Sequence, residues 1–412
     1  MIHQTLKHEL FSLGDELFTH PELGYKEIQT RQILIDFFLR HGVEVHQDFA
    51  QTGFSVRVGS GHPHIGLIAE LDGVITKQHP QASILDGAAH SCGHSTQCTL
   101  MAGAFIQLKS TWKSGTLTLF FTPAEEFVDL EFRRELKQKG LIKAFGGKQE
   151  MLLNHVLDDV DVVIHAHGMG ESKYRYSVYS SLAGFIYKEF TFVGKAAHAA
   201  VMPHLGLNAL NMFTLFNTAV GLLRETFVDE DKNRFHGHLL EPGNAVNSIS
   251  DRVVYESYVR SFSPEGLENL SQQLTHTAMH CAQSLNGSCR VIDTVGYLPM
   301  VPSLKLSQVA KEIVQNYCPK DEILTYERSI AAGDIGDISM FKPTIQLGYS
   351  GFIGNMHGSD LQIEDKDLIY IEMAQVIVDL VEKLIHTPDL VYEITTTFKP
   401  LLTDTQYQER FK

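Results

Sequence analysis

Residues 64–73 read HIGLIAELDG, a short apolar run that ends in acidic residues. Two further segments repeat this pattern, TLTLFFTPAEE at 116–126 and DVVIHAHG at 161–168. Apolar runs of this length are typical of buried strands, and each of these carries its polar residues at its carboxyl end. Helical patterns between them, at 95–108 and 131–157, favour a largely parallel α/β sheet. Ligand sites of such sheets lie beyond the carboxyl ends of the strands.

A different pattern follows this part of the chain. Strand-like alternation and helical spacing succeed each other there, which predicts a compact α+β insert. An apolar run at 343–349 and an amphipathic helix at 365–386 then resume the first pattern. We therefore predict a discontinuous α/β domain, 1–183 with 299–412, interrupted by an inserted domain, 184–298.

The composition excludes several classes of function. The 412 residues are 43 % hydrophobic and 20 % charged, which is ordinary for a globular protein of two domains. A net charge of -15 disfavours nucleic acid as a partner. The apolar runs fall short of the roughly 20 residues that cross a bilayer, and no secretory signal is visible, so we expect no membrane association. Five cysteines without a CxxC spacing favour the reducing cytoplasm.

The segment HSCGH, at residues 90–94, is the strongest local signal for chemistry. Cys92 and His94 are two residues apart, so an extended turn can point both side chains the same way. Thiolate and imidazole are both ligands of zinc-like metals. The same segment could instead be a buried loop in which Cys92 acts as a small apolar residue.

Paired polar residues end two of the predicted strands. Glu125 and Glu126 follow an apolar strand, where adjacent carboxylates are costly to bury unless a cation compensates them or one of them stays protonated. One glutamate could ligate a metal while the other accepts a proton from water, although a solvated strand end would look the same. His165 and His167 lie on one face of another strand.

His357 completes a possible metal centre. It lies in the segment Asn355-Met356-His357-Gly358, whose glycine lets a backbone approach a site closely. Enough ligands for two metal ions are then present: Cys92, His94, Glu126, one of His165 and His167, and His357. Their joint occurrence at separate strand ends favours a di-metal site.

The chain resembles a known family, the di-metal aminoacylases and carboxypeptidases, in its branch of N-acyl amino acid, aminobenzoyl-glutamate and auxin-conjugate hydrolases. The shared motifs occur in order along nearly the whole chain: His20-Pro21-Glu22-Leu23-Gly24, Ala69-Glu70-Leu71-Asp72, the HSCGH segment, Thr122-Pro123-Ala124-Glu125-Glu126, His167, Gly194-Lys195-Ala196-Ala197-His198-Ala199-Ala200, Asn208-Ala209-Leu210, Gly243-Asn244-Ala245-Val246-Asn247 and His357. The resemblance implies a three-layer metallopeptidase catalytic domain with an inserted ferredoxin-like lid and dimerisation domain.

The resemblance also implies a role for each matched residue. Metal ligands would be Cys92, His94, Glu126, His167 and His357, with Cys92 between two divalent ions, and zinc or manganese favoured. Glu125 would be the general base, and Asp72 would orient a ligand. In the inserted domain, His198 would hold the substrate carbonyl or carboxylate, and Asn247 and Arg260 would be candidate substrate ligands. Arg260 could equally be a charged residue at the end of a strand. His165 would then be structural.

The implied reaction is hydrolysis of an amide bond in an N-acyl amino acid or dipeptide-like small molecule by a homodimer. Metal-activated water would attack the carbonyl, and Glu125 would accept its proton. The chain departs from the family next to the site, with Ser95 and Gln97 in place of the usual Asp and His. Two alternatives therefore stay open: a metal-binding or partner-binding homologue with impaired catalysis, and a hydrolase in which His94 or His90 activates Cys92 as a nucleophile.

Overall fold

The structure is a computed structural model that describes residues 3–243 and 245–411. The described residues divide into two compact units. The first comprises the chain up to Ser181, Val301–Ser329 and the chain from Gly333 onward, and the second comprises Leu182–Met300 with Ile330–Ala332. No helix in the described ranges is long and apolar enough to cross a membrane.

The strands are numbered in chain order. They are β1 (Gln47–Phe49), β2 (Gly53–Ser60), β3 (His64–Glu70), β4 (Val74–Ile75), β5 (Ala88–Ala89), β6 (Gly115–Thr122), β7 (Val162–Gly168), β8 (Tyr176–Val178), β9 (Ser181–Leu182), β10 (Gly184–Val193), β11 (Arg234–Glu241), β12 (Arg252–Ser261), β13 (Ser288–Val295), β14 (Ile323–Thr325), β15 (Arg328–Ser329), β16 (Thr344–Tyr349), β17 (Phe352–Ile353) and β18 (Gln362–Ile363).

The α-helices are numbered in the same way. They are α1 (Gln4–Phe18), α2 (Ile28–Arg40), α3 (His94–Thr111), α4 (Leu130–Gln138), α5 (Gly147–Leu153), α6 (Ala209–Leu223), α7 (Pro264–Ser284), α8 (Leu304–Val314), α9 (Ile335–Ser339), α10 (Met373–Ile385), α11 (Pro388–Thr397) and α12 (Asp404–Glu409). Short 3-10 turns occupy Pro203–Leu205, Arg224–Thr226 and Lys320–Glu322, and a π-helical segment, Asp367–Glu372, leads into α10.

A mixed sheet forms the centre of the first unit, and its order across the described residues is β1-β2-β6-β3-β7-β16-β8-β14. The inner strands β6, β3, β7 and β16 are parallel, as the sequence predicts, whereas β2 and β8 run antiparallel to their inner neighbours. The inner strands are almost wholly buried, so apolar residues occupy both of their faces. Because the inner strands are parallel, their carboxyl ends meet at one edge of the sheet.

The second unit is a four-stranded antiparallel sheet in the described part of the chain, with the order β11-β12-β10-β13. Helices α6 and α7 pack on this sheet. The predicted fold class, an α/β protein with an inserted α+β, ferredoxin-like unit, is thereby confirmed. Strand β11 was missed by the sequence patterns, because most of its residues are exposed on both faces.

The predicted helix over 131–157 is in fact two helices, α4 and α5. The chain between them turns at Gly140, whose φ of 69° is left-handed, and resumes helix after Gly146. This break matters for the site, because it brings α5 and α4 separately against the segment that follows β6.

Candidate metal centre

The predicted metal-ligand residues meet at the carboxyl edge of the central sheet. Cys92 and His94 stand where the chain enters α3, at the left-handed Gly93 that caps this helix. Glu126 follows β6, and His167 is the next-to-last residue of β7. His357 reaches the same place from the loop that connects β17 and β18. The His357 N–H donates to the Ser91 carbonyl oxygen at 2.7 Å, which fixes this loop beside the HSCGH segment.

Two groups of potential ligands share the Cys92 thiol. One group contains Cys92, His94 and His167, and the other contains Cys92, Glu126 and His357; within each group the ligand atoms lie within 4.8 Å of one another. His357 Nε2 is 3.2 Å from Cys92 Sγ and 3.1 Å from Glu126 Oε1. Two such groups with a common thiol could together hold two divalent ions.

Several buried polar atoms of this site lack a well-formed hydrogen bond, and their chemistry suits a metal ion. His94 Nε2, Glu126 Oε1 and Asp72 Oδ1 are buried and make no hydrogen bond of good geometry with the described residues, although each lies 3.1 to 3.3 Å from a polar atom of a neighbouring side chain. Buried polar atoms without a well-formed hydrogen bond are rare and need an explanation. One thiolate, imidazole nitrogens and a carboxylate form a donor set that suits zinc, manganese or related divalent ions.

The electrostatics of the centre favour a thiolate. Burial and the Glu126 carboxylate raise the pKa of the Cys92 thiol, but the imidazoles of His94 and His167 outweigh them and bring it to about 6. Burial raises the pKa of Glu126 too, yet the neighbouring His357 imidazole lowers it to about 2. In turn, Cys92 and Glu126 raise the pKa of His357 to about 11.

Glu125 has the opposite electrostatic environment. Its side chain is only 8 % exposed, and burial together with the carboxylates of Glu70 and Glu126 raises its pKa well above the usual value. Its Oε2 lies 3.8 Å from His94 Nε2. A raised pKa moves a carboxyl group towards the range in which it can both take up and release a proton near neutral pH.

Asp72 connects the ligand segments. The backbone oxygen of Asp72 accepts a hydrogen bond from His94 Nδ1 at 2.7 Å, which leaves Nε2 directed to the metal groups. Its carboxylate Oδ2 accepts the Glu126 N–H at 2.9 Å. Asp72 therefore sets the orientation of one imidazole and the position of one glutamate.

A buried ion network behind the centre was not foreseen from the sequence. Lys148 Nζ donates to Glu70 Oε1 at 2.6 Å and to Asp334, and Glu70 Oε2 lies 3.2 Å from His94 Nε2. His165 contacts Glu70 at 3.0 Å and is in neither Cys92 group. Gln97, one of the departures from the family, accepts the Glu70 N–H at 2.5 Å. The sequence motifs included Glu70 and Gln97 separately, but nothing in the sequence indicated their shared contacts with Lys148 and Asp334.

The remaining predicted residues lie in the second unit. His198 is exposed in the loop after β10, where Ala200 N–H donates to its Nδ1 at 3.3 Å. Asn247 is joined to that loop by the bond from Ala199 N–H to its carbonyl oxygen. Arg260 lies at the far end of β12, where its guanidinium donates to the Ile330 oxygen and stacks near Tyr258. Asn244 of the matched motif is outside the described residues.

The chain is similar to known proteins. The chain matches peptidase family M20/M25/M40 over residues 66–383. It is 24 % identical over 357 residues to the IAA-amino acid hydrolase ILR1-like 4 of Arabidopsis thaliana, covering 81 % of this chain and 74 % of that protein. It is 26 % identical over 284 residues to the N-acetyl-L-cysteine deacetylase of Bacillus subtilis, covering 65 % of this chain and 63 % of that protein.

The fold is similar to that of solved structures. The Bacillus subtilis YXEP protein, described as a dinuclear metal binding peptidase from the M20 family, superposes with a TM-score of 0.72 at 17 % identity over 93 % of this chain and 100 % of that chain. The resemblance inferred from the sequence motifs is thereby confirmed. The match covers well over half of the sequence, and the chain belongs to peptidase family M20/M25/M40, a family of metal-dependent hydrolases.

Proposed function

We propose that this protein hydrolyses the amide bond of an N-acyl amino acid or a dipeptide-like small molecule. The observation that carries the proposal is the pair of ligand groups that share Cys92, with the Glu125 carboxyl beside them. Relatives named as an IAA-amino acid hydrolase and an N-acetyl-L-cysteine deacetylase support this bond type.

The residues that would hold two divalent ions, zinc or manganese, are Cys92, His94, Glu126, His167 and His357. When bound, such ions acidify water and polarise a carbonyl group. Asp72 keeps the His94 ring in the tautomer whose Nε2 is available, because the Nδ1 proton is engaged by the Asp72 backbone. The Cys92 pKa of about 6 makes the thiolate the dominant form near neutral pH.

Glu125 acts as general base and then as general acid in this proposal. Its carboxylate accepts a proton from the attacking water, and its raised pKa makes the protonated form accessible. The same oxygen then returns the proton to the leaving amine. Burial keeps the carboxyl away from bulk water while it holds the proton.

The inserted unit would serve as lid and dimerisation domain, with the domain boundaries predicted from the sequence. His198 would stabilise the oxyanion of the tetrahedral intermediate, and loss of such a contact costs about 10²-fold or more in rate. Asn247 and Arg260 would bind substrate. Sedimentation of the purified protein tests the dimer, since a monomer at working concentration would contradict it.

The decisive experiment combines metal analysis with a panel of N-acyl amino acids and dipeptides, assayed before and after chelation. We expect two ions per chain and hydrolysis that chelation removes and added metal restores. A metal-replete protein that is inert toward the whole panel would support the catalytically impaired homologue instead.

The lowered pKa of Cys92 also favours a second candidate, a hydrolase with a Cys92 nucleophile. Alkylation separates the two. A thiolate that ligates metal is shielded from iodoacetamide until the metal is removed, whereas a nucleophilic thiolate reacts in the presence of metal.

A further inference from the structure

The segment Ala124-Glu125-Glu126, here called the glutamate turn, is held by side chains from several elements. We propose that Arg133 of α4 is a positioning residue for this turn: its buried guanidinium fixes the backbone and thereby the places of the Glu125 and Glu126 carboxylates. The inference rests on the proposed function for the role of these two glutamates.

The guanidinium of Arg133 bridges three backbone carbonyls. Nη1 donates to the oxygens of Ala124 at 3.3 Å and Phe145 at 2.8 Å, and Nη2 donates to the oxygen of Glu126. Arg133 is fully buried. Its two nitrogens thus bind the carbonyls on both sides of Glu125, one residue before it and one residue after it.

The turn needs such support because its backbone is strained. Ala124 has a φ of 57°, in the left-handed region that non-glycine residues rarely adopt. Strained conformations persist only when the surrounding structure holds them. The Ala124 N–H donates to Glu27 Oε1 at 2.9 Å, and the Glu126 N–H donates to Asp72. Arg133 holds the carbonyls of the same two residues.

The close packing around this contact accounts for the glycine of the HPELG segment. A Cβ at Gly24 would lie 2.4 Å from Arg133 Nη2 and 2.7 Å from the Ala124 Cα. Real Cβ atoms do not approach backbone so closely, so only glycine lets the guanidinium reach the turn. A motif near the amino terminus is in this way tied to the residues beside the metal centre.

Arg133 is partnered in an unusual manner, and its buried Nε makes no hydrogen bond within the described residues. Among the described residues its partners are carbonyl oxygens and the Tyr25 ring, whose centroid is 5.6 Å from the guanidinium carbon, and no carboxylate forms a salt bridge with it. Buried arginines are ordinarily paired with carboxylates. Because the Arg133 guanidinium donates to backbone carbonyl oxygens, it constrains the backbone of the glutamate turn. The positions of the Glu125 and Glu126 side chains depend on that backbone.

The two ligand groups should respond differently to the loss of Arg133. Glu126 belongs to the group with Cys92 and His357, whereas the group of Cys92, His94 and His167 contains no residue of the glutamate turn; a further group joins His94 to Glu125 and Glu126. A displaced turn should therefore weaken the ion held through Glu126 more than the other ion. It also misplaces Glu125, which lowers turnover more than substrate binding.

The test compares Arg133→Met and Arg133→Lys with Arg134→Met, which removes an exposed arginine from the next position of the same helix. Zn²⁺ stoichiometry and affinity are measured against competing chelators, and kcat and KM are measured on the best substrate of the panel. We expect Arg133→Met to bind one Zn²⁺ as tightly as wild type and the other about 10 to 100-fold more weakly. Its kcat should fall at least tenfold with KM nearly unchanged, and Arg134→Met should match wild type.

Arg133→Lys keeps the charge but not the planar fork that reaches three carbonyls, so it should show the same selective loss to a smaller extent. If Arg133→Met does not fold, the Zn²⁺ affinities and kcat of Arg133→Lys provide the test. A folded variant with two wild-type Zn²⁺ affinities and normal kcat overturns the inference, and so does an equal weakening of both ions. Wild-type protein that binds no metal would refute the proposed function itself.

Discussion

The Cys92 thiol has imidazole nitrogens on two sides, His357 Nε2 at 3.2 Å and His167 Nε2 at 3.6 Å. The imidazoles of His94 and His167 lower the pKa of the thiol, and the thiolate in turn raises the pKa values of His167 and His357. A metal ion that occupies the centre replaces the protons as the positive charge. Protons and metal therefore compete for the same ligand atoms.

This competition predicts how metal binding depends on pH. The raised pKa values of His94, His167 and His357 mean that the metal-free site holds protons near neutral pH, and a metal must release them. Affinity should fall as pH falls, by about tenfold per pH unit for each proton released. Calorimetry in two buffers of different ionisation enthalpy measures the release. Affinity that is constant between pH 6 and 8 would contradict the arrangement.

Replacing Glu125 tests the base at the residue scale. Glu125→Gln keeps the shape of the side chain but cannot accept a proton, so kcat should fall by about 10² to 10⁴-fold. Both ions should remain, because Glu125 lies outside the two Cys92 groups. Glu131→Gln changes an exposed carboxylate in α4 and serves as the control. Retained activity in Glu125→Gln would remove this residue from the mechanism.

At the scale of the elements, Lys148 joins α5, β3 and the residue before α9. Its ammonium lies between Glu70 and Asp334, all three side chains are almost completely buried, and its backbone N–H also donates to Asp334 at 2.9 Å. The two carboxylates raise the pKa of Lys148 despite its burial, and Lys148 lowers the pKa of Glu70. Lys148 thus compensates part of the charge of two buried carboxylates beside the candidate metal centre.

Removing one partner of a buried network leaves uncompensated charge. Lys148→Met should therefore lower the free energy of unfolding by about 3–5 kcal/mol. Lys137→Met, at an exposed position of α4, should stay within about 0.5 kcal/mol of wild type. Chemical denaturation of the metal-free proteins measures both. Equal stability of the two variants would show that the network does not need its cation.

At the scale of the whole molecule, each unit has its own core. Leu274 of α7 is fully buried in the core of the second unit, together with Phe190 and Phe216. The potential metal ligands all belong to the first unit. We therefore expect that the stability of the second unit and the metal content of the candidate site can be changed separately.

The prediction is a pair of variants with opposite effects. Leu274→Ala should destabilise the second unit by about 2–5 kcal/mol and leave two ions bound at low temperature. Cys92→Ser should lose metal while the second unit keeps its melting behaviour. Metal analysis and calorimetric unfolding of both variants provide the measurement. Loss of metal in Leu274→Ala under folding conditions would contradict this separation.

The sequence by itself determined the features that are local in the chain. Apolar runs that end in polar residues predicted β3, β6 and β7, because a buried strand and the residues at its end are adjacent in sequence. The ordered motifs also identified the family correctly. The sequence patterns did not predict the outer antiparallel strands or the break between α4 and α5, because short or exposed elements carry weak hydrophobic periodicity.

Only the tertiary structure decided how buried charge is compensated. Lys148 meets Glu70 across 78 residues and Asp334 across 186 residues of the chain, and Arg133 reaches the glutamate turn through space left by Gly24. No periodic pattern marks such partners, because the cost of burying a charge depends on which distant groups packing brings to it. The sequence therefore pointed to the candidate site residues, and the fold showed which distant residues contact them.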